Sequence, residues 1–317
     1  MKKDLLSIKD LTTKEIEEMF DLAVKLKRNK SKFNKVLAGK TLALIFQKPS
    51  NRTRVSFEVG MYQLGGNSIY LSPGEINLGV REAVKDVAKT ISRYVDGIVL
   101  RTFEHKNCLE MAAAAGVPVI NGLSDFSHPC QALADLFTIG EKFARLNPAS
   151  HKLGSKLKGL TLAYVGDGNN VCNSLLFAAA KTGMNIAVAT PDGYAPDGQV
   201  VKDAKEAAKE TGSQIRITQD PLSAVNGANV VYTDVWASMG QEEEIGKRKI
   251  IFKDFQINAR LLTNAATGVI LMHCLPAHRG EEITDEMMDS KNSVVFDQAE
   301  NRMHVQKAIL IKLLSKD

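Results

Sequence analysis

The chain has 317 residues, 44% hydrophobic and 24% charged, with 41 basic against 36 acidic side chains for a formal net charge of +5. That length exceeds one hydrophobic core of ordinary size and suits two domains. The balanced composition is that of a globular protein; the mild, dispersed positive charge, with no basic-aromatic segment, excludes a nucleic-acid binder and is compatible with anionic small molecules.

The N-terminus, MKKDLLSIKDLTTKEIEEMF, carries lysines but no uninterrupted apolar stretch of the kind a secretory signal needs, and no apolar run along the chain reaches the length of a membrane span. Strand-like runs follow at TLALIF (41–46), SIYL (68–71), GIVLR (97–101) and PVIN (118–121). Beyond them come LTLAYV (160–165), NIAVAT (185–190), QIRIT (214–218), NVVYTD (229–234), VILMHC (269–274) and SVVFD (293–297). Most are short, apolar and rich in Val, Ile and Leu, as strands buried on both faces are. Amphipathic stretches such as REAVKDVAKTISRY (81–94) and VKDAKEAAKETG (201–212) lie between them. This alternation predicts an α/β protein with doubly wound parallel sheets.

The polar stretch ARLNPASHKLGSKLKG (144–159) interrupts the pattern and marks the expected domain boundary. Residues 1–147 and 148–298 are then the two domains, and the segment 299–317 reads as an amphipathic helix. The cysteines, Cys108, Cys130, Cys172 and Cys274, form no CxxC pair and suggest no disulfide framework, so a reducing cytoplasm is the expected location.

In open α/β sheets ligands collect at the carboxyl ends of strands. The first such place is QKPSNRTRVSFE (47–58), where Pro49 fixes a turn and Ser50 is placed to cap a helix beginning near Arg52. The N-terminus of a helix presents backbone N–H groups and a positive dipole end to an anion. Ser50, Asn51 and Thr53 add donors, and Arg52 adds a planar fork suited to phosphate oxygens. Residues i and i+2 do not share a helix face, so Arg52 is assigned to the phosphate and Arg54 to a structural ion pair. The competing reading is a capped surface helix with two solvated arginines.

Arg101, at the end of GIVLR, is placed to polarise a carbonyl oxygen or to make a surface ion pair. In DFSHPCQALADL (125–136), Pro129 suits the first helical position, His128 the cap, and Gln131 falls three residues on. That pair can hold a carbonyl oxygen and an amino group; a satisfied cap, or a metal at the H-x-C pair with Cys130, are the alternatives. In VGDGNNVCNSLL (165–176), Gly166 and Gly168 open a helix as in dinucleotide-binding proteins, but Val171 replaces the third glycine and Asp192 follows a proline rather than closing a strand. Asn169 and Asn170 offer amides to a carboxylate or amine instead. DVWASMGQEEE (234–244) puts Asp234 at a strand end, placed for a substrate ammonium, ahead of a Ser-Met-Gly turn. MHCLPAHRG (272–280) puts His273 and Cys274 at another; neighbours in an extended segment point opposite ways, which argues against a Cys-His dyad.

Together, SNRTR (50–54), LRT (100–102), HPCQ (128–131), GDGNN (166–170), DVWASMG (234–240), HCLP (273–276) and ENRMH (300–304) resemble, in content and order, the motifs of the aspartate/ornithine carbamoyltransferase family. The resemblance spans essentially the whole chain, and the Cys of HPCQ, the Ser-Met-Gly turn and HCLP lean toward its ornithine branch. It implies a carbamoyl-phosphate domain, an amine-substrate domain, and a final helix packing back on the first domain. It also implies active sites between adjacent subunits of a homotrimer, and neither metal nor cofactor. The expected reaction moves the carbamoyl group of carbamoyl phosphate to the side-chain amine of L-ornithine, giving L-citrulline and phosphate.

By the same resemblance, Ser50, Asn51, Arg52 and Thr53 cradle the phosphate, and Arg101, His128 and Gln131 hold the carbamoyl end. Cys274 and Leu275 line the reaction centre, and Arg302 reaches back to carbamoyl phosphate. Asn170, Asp234, Ser238 and Met239 contact ornithine. Arg101, His128 and Cys274 are the expected catalytic residues, with the proton acceptor left open. Two positions depart from the family: Asn51 stands where it usually has threonine. Asn77, in SPGEINLG (72–79), stands where it often has a glutamine that reaches a neighbouring subunit's phosphate.

Overall fold

The computed structural model describes residues 3–144, 154–237 and 242–315. The chain divides into two compact units, one formed by residues 1–137 with 300–317 and the other by 138–299. The changeover falls inside the helix Pro129–Ala144. Of the stretch 144–159, where the sequence places the boundary, residues 145–153 lie outside the described residues.

The first unit holds β1 (Thr41–Phe46), β2 (Asn67–Leu71), β3 (Gly97–Arg101) and β4 (Val119–Leu123). They form a four-stranded sheet in the order β2-β1-β3-β4, every pair parallel. β1 and β3 are almost wholly buried, which is why both read as unbroken apolar runs. The β4 edge is covered by the N-terminal segment, where Leu5 N–H donates to Val119 O at 2.9 Å and Leu5 O accepts from Asn121 N–H at 2.8 Å.

The second unit holds β5 (Thr161–Val165), β6 (Asn185–Ala189), β7 (Ile215–Thr218), β8 (Val230–Thr233) and β9 (Ile270–His273). These make a five-stranded parallel sheet in the order β7-β6-β5-β8-β9. Its core gathers Ala163, Val165, Val231 and Leu271 from the strands and Trp236, Phe252 and Ile283 from the connections.

SVVFD (293–297) is not a strand. Ser293 makes only an isolated bridge to Leu271, and a helix runs from Val295 to Leu314. Asp297 falls in its first turn, where a negative charge suits the helix dipole. The expected C-terminal helix therefore starts four residues early and absorbs Val295, Phe296 and Asp297. Its later part belongs to the first unit: Lys312 pairs with Glu18 at 2.6 Å, Lys307 donates to Gln63 at 2.8 Å, and Asn301 accepts from Lys27 at 2.8 Å. Glu18 and Lys27 belong to the helix Thr13–Arg28, whose start is fixed by a capping box between Thr12 and Glu15.

Candidate active site

Each sheet reverses its winding at one strand. β1 has β2 on one side and β3 on the other; β5 has β6 and β8. The crevices at the carboxyl ends of such neighbours are where this architecture binds ligands. The candidate residues fall on those ends, in two groups.

In the first unit, β1 runs through Gln47 to Ser50, which caps the helix Asn51–Gln63 by accepting from Thr53 N–H at 3.3 Å. The helix start expected from sequence holds, and Arg54 makes the structural ion pair expected of it. Arg54 pairs with Glu58 at 3.0 Å and lies 3.8 Å over the Tyr70 ring. Thr53 is fully buried, and its hydroxyl accepts from Ser50 at 3.2 Å and from Arg302 at 2.8 Å. Arg302 also donates to Gln131 Oε1 at 2.8 Å, while Gln131 donates to Asp135 at 2.8 Å.

Arg101 ends β3 at a register irregularity against β4, which turns a side chain out of the regular pleat. Only 5% of it is exposed. His128 directly precedes the helix Pro129–Ala144 and is equally buried. Burial pushes its imidazole well below the usual histidine range, and the positive charges of Arg302, Arg101, Lys48 and Arg52 push it further the same way. His128 is therefore neutral at pH 7 and surrounded by cations. An anion neutralises such a cluster; a cationic metal would add to it. The Cys130 thiol donates to Asn121 O at 3.6 Å and is pushed up to about 12 by burial, so it stays protonated. Asn51 and Asn77 are exposed, the latter in the left-handed region at φ 38°.

Sequence reasoning missed the residues that shape these loops. Gln47 Oε1 accepts from the Thr102 hydroxyl and from Phe103 N–H at 3.3 Å, while its Nε2 donates to Leu78 O at 2.8 Å. One side chain thus ties the end of β1 to the loop after β3 and to the Asn77 segment. Asn121 donates to Leu6 O, Ser124 and Ser127 O, fixing the turn ahead of His128. Lys48 is buried, with its ammonium 4.9 Å from the centre of the Phe103 ring. The only sequence signal for Lys48 was its place beside SNRTR; Gln47 and Asn121 had none.

In the second unit, Gly166 (φ 148°) and Gly168 open the loop after β5. A Cβ on Gly168 would lie 2.3 Å from Pro196 N and 2.5 Å from Ala195 C, so the glycine answers a close backbone approach. Asn169 caps the helix Asn170–Thr182, its Oδ1 accepting from Val171 and Cys172 N–H groups at 2.9 and 3.2 Å. The amides that would hold a pyrophosphate are thereby occupied by the protein's own side chain, which argues against the dinucleotide reading. Asn169 Nδ2 donates to Asp234 Oδ2 at 2.9 Å.

Asp234 follows β8 and is 6% exposed. Its Oδ1 accepts from Val235 N–H at 2.8 Å and from the Cys274 thiol at 3.0 Å. Cys274 is partly exposed, as is Asn170. His273 is turned the other way, as its place in a strand dictates: Nδ1 accepts from Leu275 N–H at 2.8 Å, so Nε2 carries the hydrogen and donates to Glu282 at 3.0 Å. The Cys-His dyad is absent, and neither imidazole nitrogen is left to bind an ion. Leu275 adopts φ 61°, a strained choice for a non-glycine residue at the head of the Cys274 turn. Ser238 and Met239 lie outside the described residues.

The two units correspond to two family models. Residues 3–141 match the carbamoyl-P binding domain of aspartate/ornithine carbamoyltransferase, and residues 158–313 match its Asp/Orn binding domain. The chain belongs to the aspartate/ornithine carbamoyltransferase family. An ornithine carbamoyltransferase of Thermococcus kodakarensis is 53% identical over 97% of this chain and 95% of its own length. The structure of the Pyrococcus furiosus ornithine carbamoyltransferase superposes with a TM-score of 0.92 at 50% identity, covering 99% of this chain and 97% of that one. The Giardia lamblia ornithine transcarbamoylase gives 0.89 at 36% identity over 99% of both chains. His128, Arg101, Lys48 and Arg52 thus lie in the stretch that matches the carbamoyl-P binding domain, and Asp234 and Arg302 in the stretch that matches the Asp/Orn binding domain.

Proposed function

We infer that the chain transfers the carbamoyl group of carbamoyl phosphate to the side-chain amine of L-ornithine, releasing L-citrulline and phosphate. The observation that carries the choice of amine is Asp234. A nearly buried carboxylate, held by Asn169 and Cys274, favours a substrate ammonium and repels the second carboxylate that aspartate would bring.

Carbamoyl phosphate is read into the cation cluster. Ser50, Asn51, Arg52 and Thr53 cradle its phosphate at the helix N-terminus, with Arg302 alongside. Arg101, His128 and Gln131 take the carbamoyl end. The reaction is direct attack of a neutral amine on the carbamoyl carbon, with no covalent enzyme intermediate. Orienting two reactants supplies about 7–11 kcal/mol in favourable cases. Arg101 and a neutral, N–H-donating His128 stabilise the oxyanion of the tetrahedral intermediate, and Arg52 the departing phosphate. Cys274 gives its S–H to Asp234, and Cys274 and Leu275 line the reacting centre. Asn170, Ser238 and Met239 complete the ornithine contacts.

The assembly is read as a trimer or a multiple of trimers. In its support, the helix Asn51–Gln63 exposes Val55, Val59 and Tyr62 at helical spacing, and Ile69 is 49% exposed on the open edge strand β2. Asn77, exposed on the same unit, is then available to a neighbouring subunit's phosphate. The four cysteines are free thiols, which supports a reducing, cytoplasmic setting. Among the described residues no helix is long and apolar enough to cross a membrane.

The test is a direct assay of ureido product and phosphate release from carbamoyl phosphate with ornithine, aspartate, putrescine or N-acetylornithine. Product with ornithine alone is expected. Product with aspartate overturns the reading of Asp234.

A further inference from the structure

Gln47, directly after β1, is held from three directions. Its main-chain N–H donates to Arg101 O at 2.8 Å. Its Oε1 accepts from the Thr102 hydroxyl, from Phe103 N–H at 3.3 Å and from Asn107 Nδ2 at 3.4 Å. Its Nε2 donates to Leu78 O at 2.8 Å. Phe103 N–H can only donate and Leu78 O can only accept, so the amide has one possible orientation.

Leu78 belongs to a compact turn over residues 77–82. The Val80 and Arg81 N–H groups donate to Asn77 O at 3.1 and 3.0 Å, and Gly79 N–H donates to Glu82 O at 2.9 Å. Asn77 and Gly79, on either side of Leu78, lie in the left-handed region at φ 38° and 80°. Leu78 is the one buried residue of the turn and clusters with Ile45, Val84 and Leu100; the other five are exposed. Burial of an apolar side chain sets the depth of the turn but carries no direction, whereas a hydrogen bond does. Gln47 supplies that direction, and takes it from the loop that begins at Arg101.

We propose that Gln47 is a positioning residue for carbamoyl phosphate: it accepts from the Arg101 loop and donates to the 77–82 turn, and so locks the two into one piece. This rests on the reading of Arg52, Arg101 and His128 as the carbamoyl phosphate cluster. The task demands an amide. An ionised glutamate of the same shape still accepts from Thr102 and Phe103, but it sets an oxygen against Leu78 O with no hydrogen between them. Once protonated, that glutamate donates its O–H to Leu78 O and restores the lock. Its half-buried carboxyl facing a carbonyl titrates above the ordinary ~4.3. Methionine keeps the volume and restores nothing at any pH.

The experiment is calorimetry with carbamoyl phosphate on the parent, Gln47→Glu, Gln47→Met and Arg52→Ala at about pH 8 and about pH 5.5. It is paired with hydrogen exchange of the turn amides, each variant compared with the parent at the same pH. At about pH 8 both residue-47 variants are expected to bind about tenfold more weakly and to exchange the Gly79, Val80 and Arg81 N–H groups about tenfold faster. At about pH 5.5 Gln47→Glu recovers on both readouts and Gln47→Met on neither. Parental affinity and exchange in Gln47→Glu at about pH 8, with affinity lost in Arg52→Ala, overturns the lock alone. A loss in Gln47→Glu that is equal at the two pH values also overturns it. Parental affinity in Arg52→Ala overturns the reading of the cluster and the positioning role with it. Should Gln47→Glu fail to fold, Gln47→Met decides: weaker binding with faster turn exchange supports the lock, and weaker binding with parental exchange overturns it.

Discussion

Arg302 donates to the Thr53 hydroxyl at 2.8 Å across 249 residues of sequence, and its other arm reaches Gln131 at 2.8 Å. The C-terminal helix thus supplies a buried cation to the helix N-terminus that follows β1. Arg302→Met keeps most of the volume and removes the charge. Carbamoyl phosphate affinity, measured by calorimetry, is expected to fall about 10- to 100-fold. Unaltered affinity would remove Arg302 from the site.

Arg52 and Arg54 stand two residues apart and differ in partners. Arg52→Ala is expected to lower turnover by a factor of about 10² or more, because it removes charge from the leaving phosphate. Melting temperature should hardly move. Arg54→Ala loses only an exposed pair with Glu58, 46% and 32% exposed, and its contact with Tyr70, so it should retain near-parental turnover. Parental kinetics for Arg52→Ala would sink its phosphate role.

Asp234→Ala is expected to raise the ornithine KM about 10- to 100-fold, the range for a lost hydrogen bond to a charged group. The dissociation constant for carbamoyl phosphate should stay near the parent's. Equal weakening of both substrates would count against the assignment.

His128 gives a pH signature. Its folded-state pKa lies below the ordinary 6.5 because of burial and the neighbouring cations. The unfolded chain therefore takes up a proton first as pH drops, and the contribution of neutral His128 to stability, complete above pH 6.5, is lost below it. The slope is at most about 1.4 kcal/mol per pH unit. NMR titration of the ligand-free protein should show the His128 ring unprotonated through pH 6.5; a midpoint there or higher would contradict the cation cluster.

Gly168 is a packing test. Any Cβ there collides with the backbone of Tyr194, Ala195 and Pro196 at 2.3–2.7 Å. Gly168→Ala is expected to destabilise the fold by about 2 kcal/mol or more in urea denaturation.

Much of this was legible in the sequence, for definite reasons. Parallel strands buried on both faces leave unbroken apolar runs, so TLALIF and LTLAYV could be read without knowing their neighbours. Caps act within three residues, so Ser50 could be seen to open a helix; Asn169, read as an amide for a ligand, turned out to be the cap of its own helix. SVVFD failed because five residues carry no clear period; only the helix that follows decides them, and it claims Val295 onward. Gln47 and Asn121 failed for the opposite reason. Their bonds span 31 to 115 residues of sequence, and their own neighbourhoods look ordinary. Asp234 and Cys274 were singled out individually, but that the thiol donates to the carboxylate across 40 residues was not foreseeable.

The return of the chain's last residues to the first unit bears on how the protein is made. The second unit is one continuous stretch, 138–299, and emerges from the ribosome whole. The first unit is begun earlier and completed later: Leu314 against Gly97, Lys312 on Glu18 and Arg302 on Thr53 can form only after almost the entire chain has been synthesised. A nascent chain stalled before Glu300 would carry a complete amine-substrate unit and a carbamoyl-phosphate unit still missing one of its cations. The order in which the two units mature is then the reverse of the order in which they are translated.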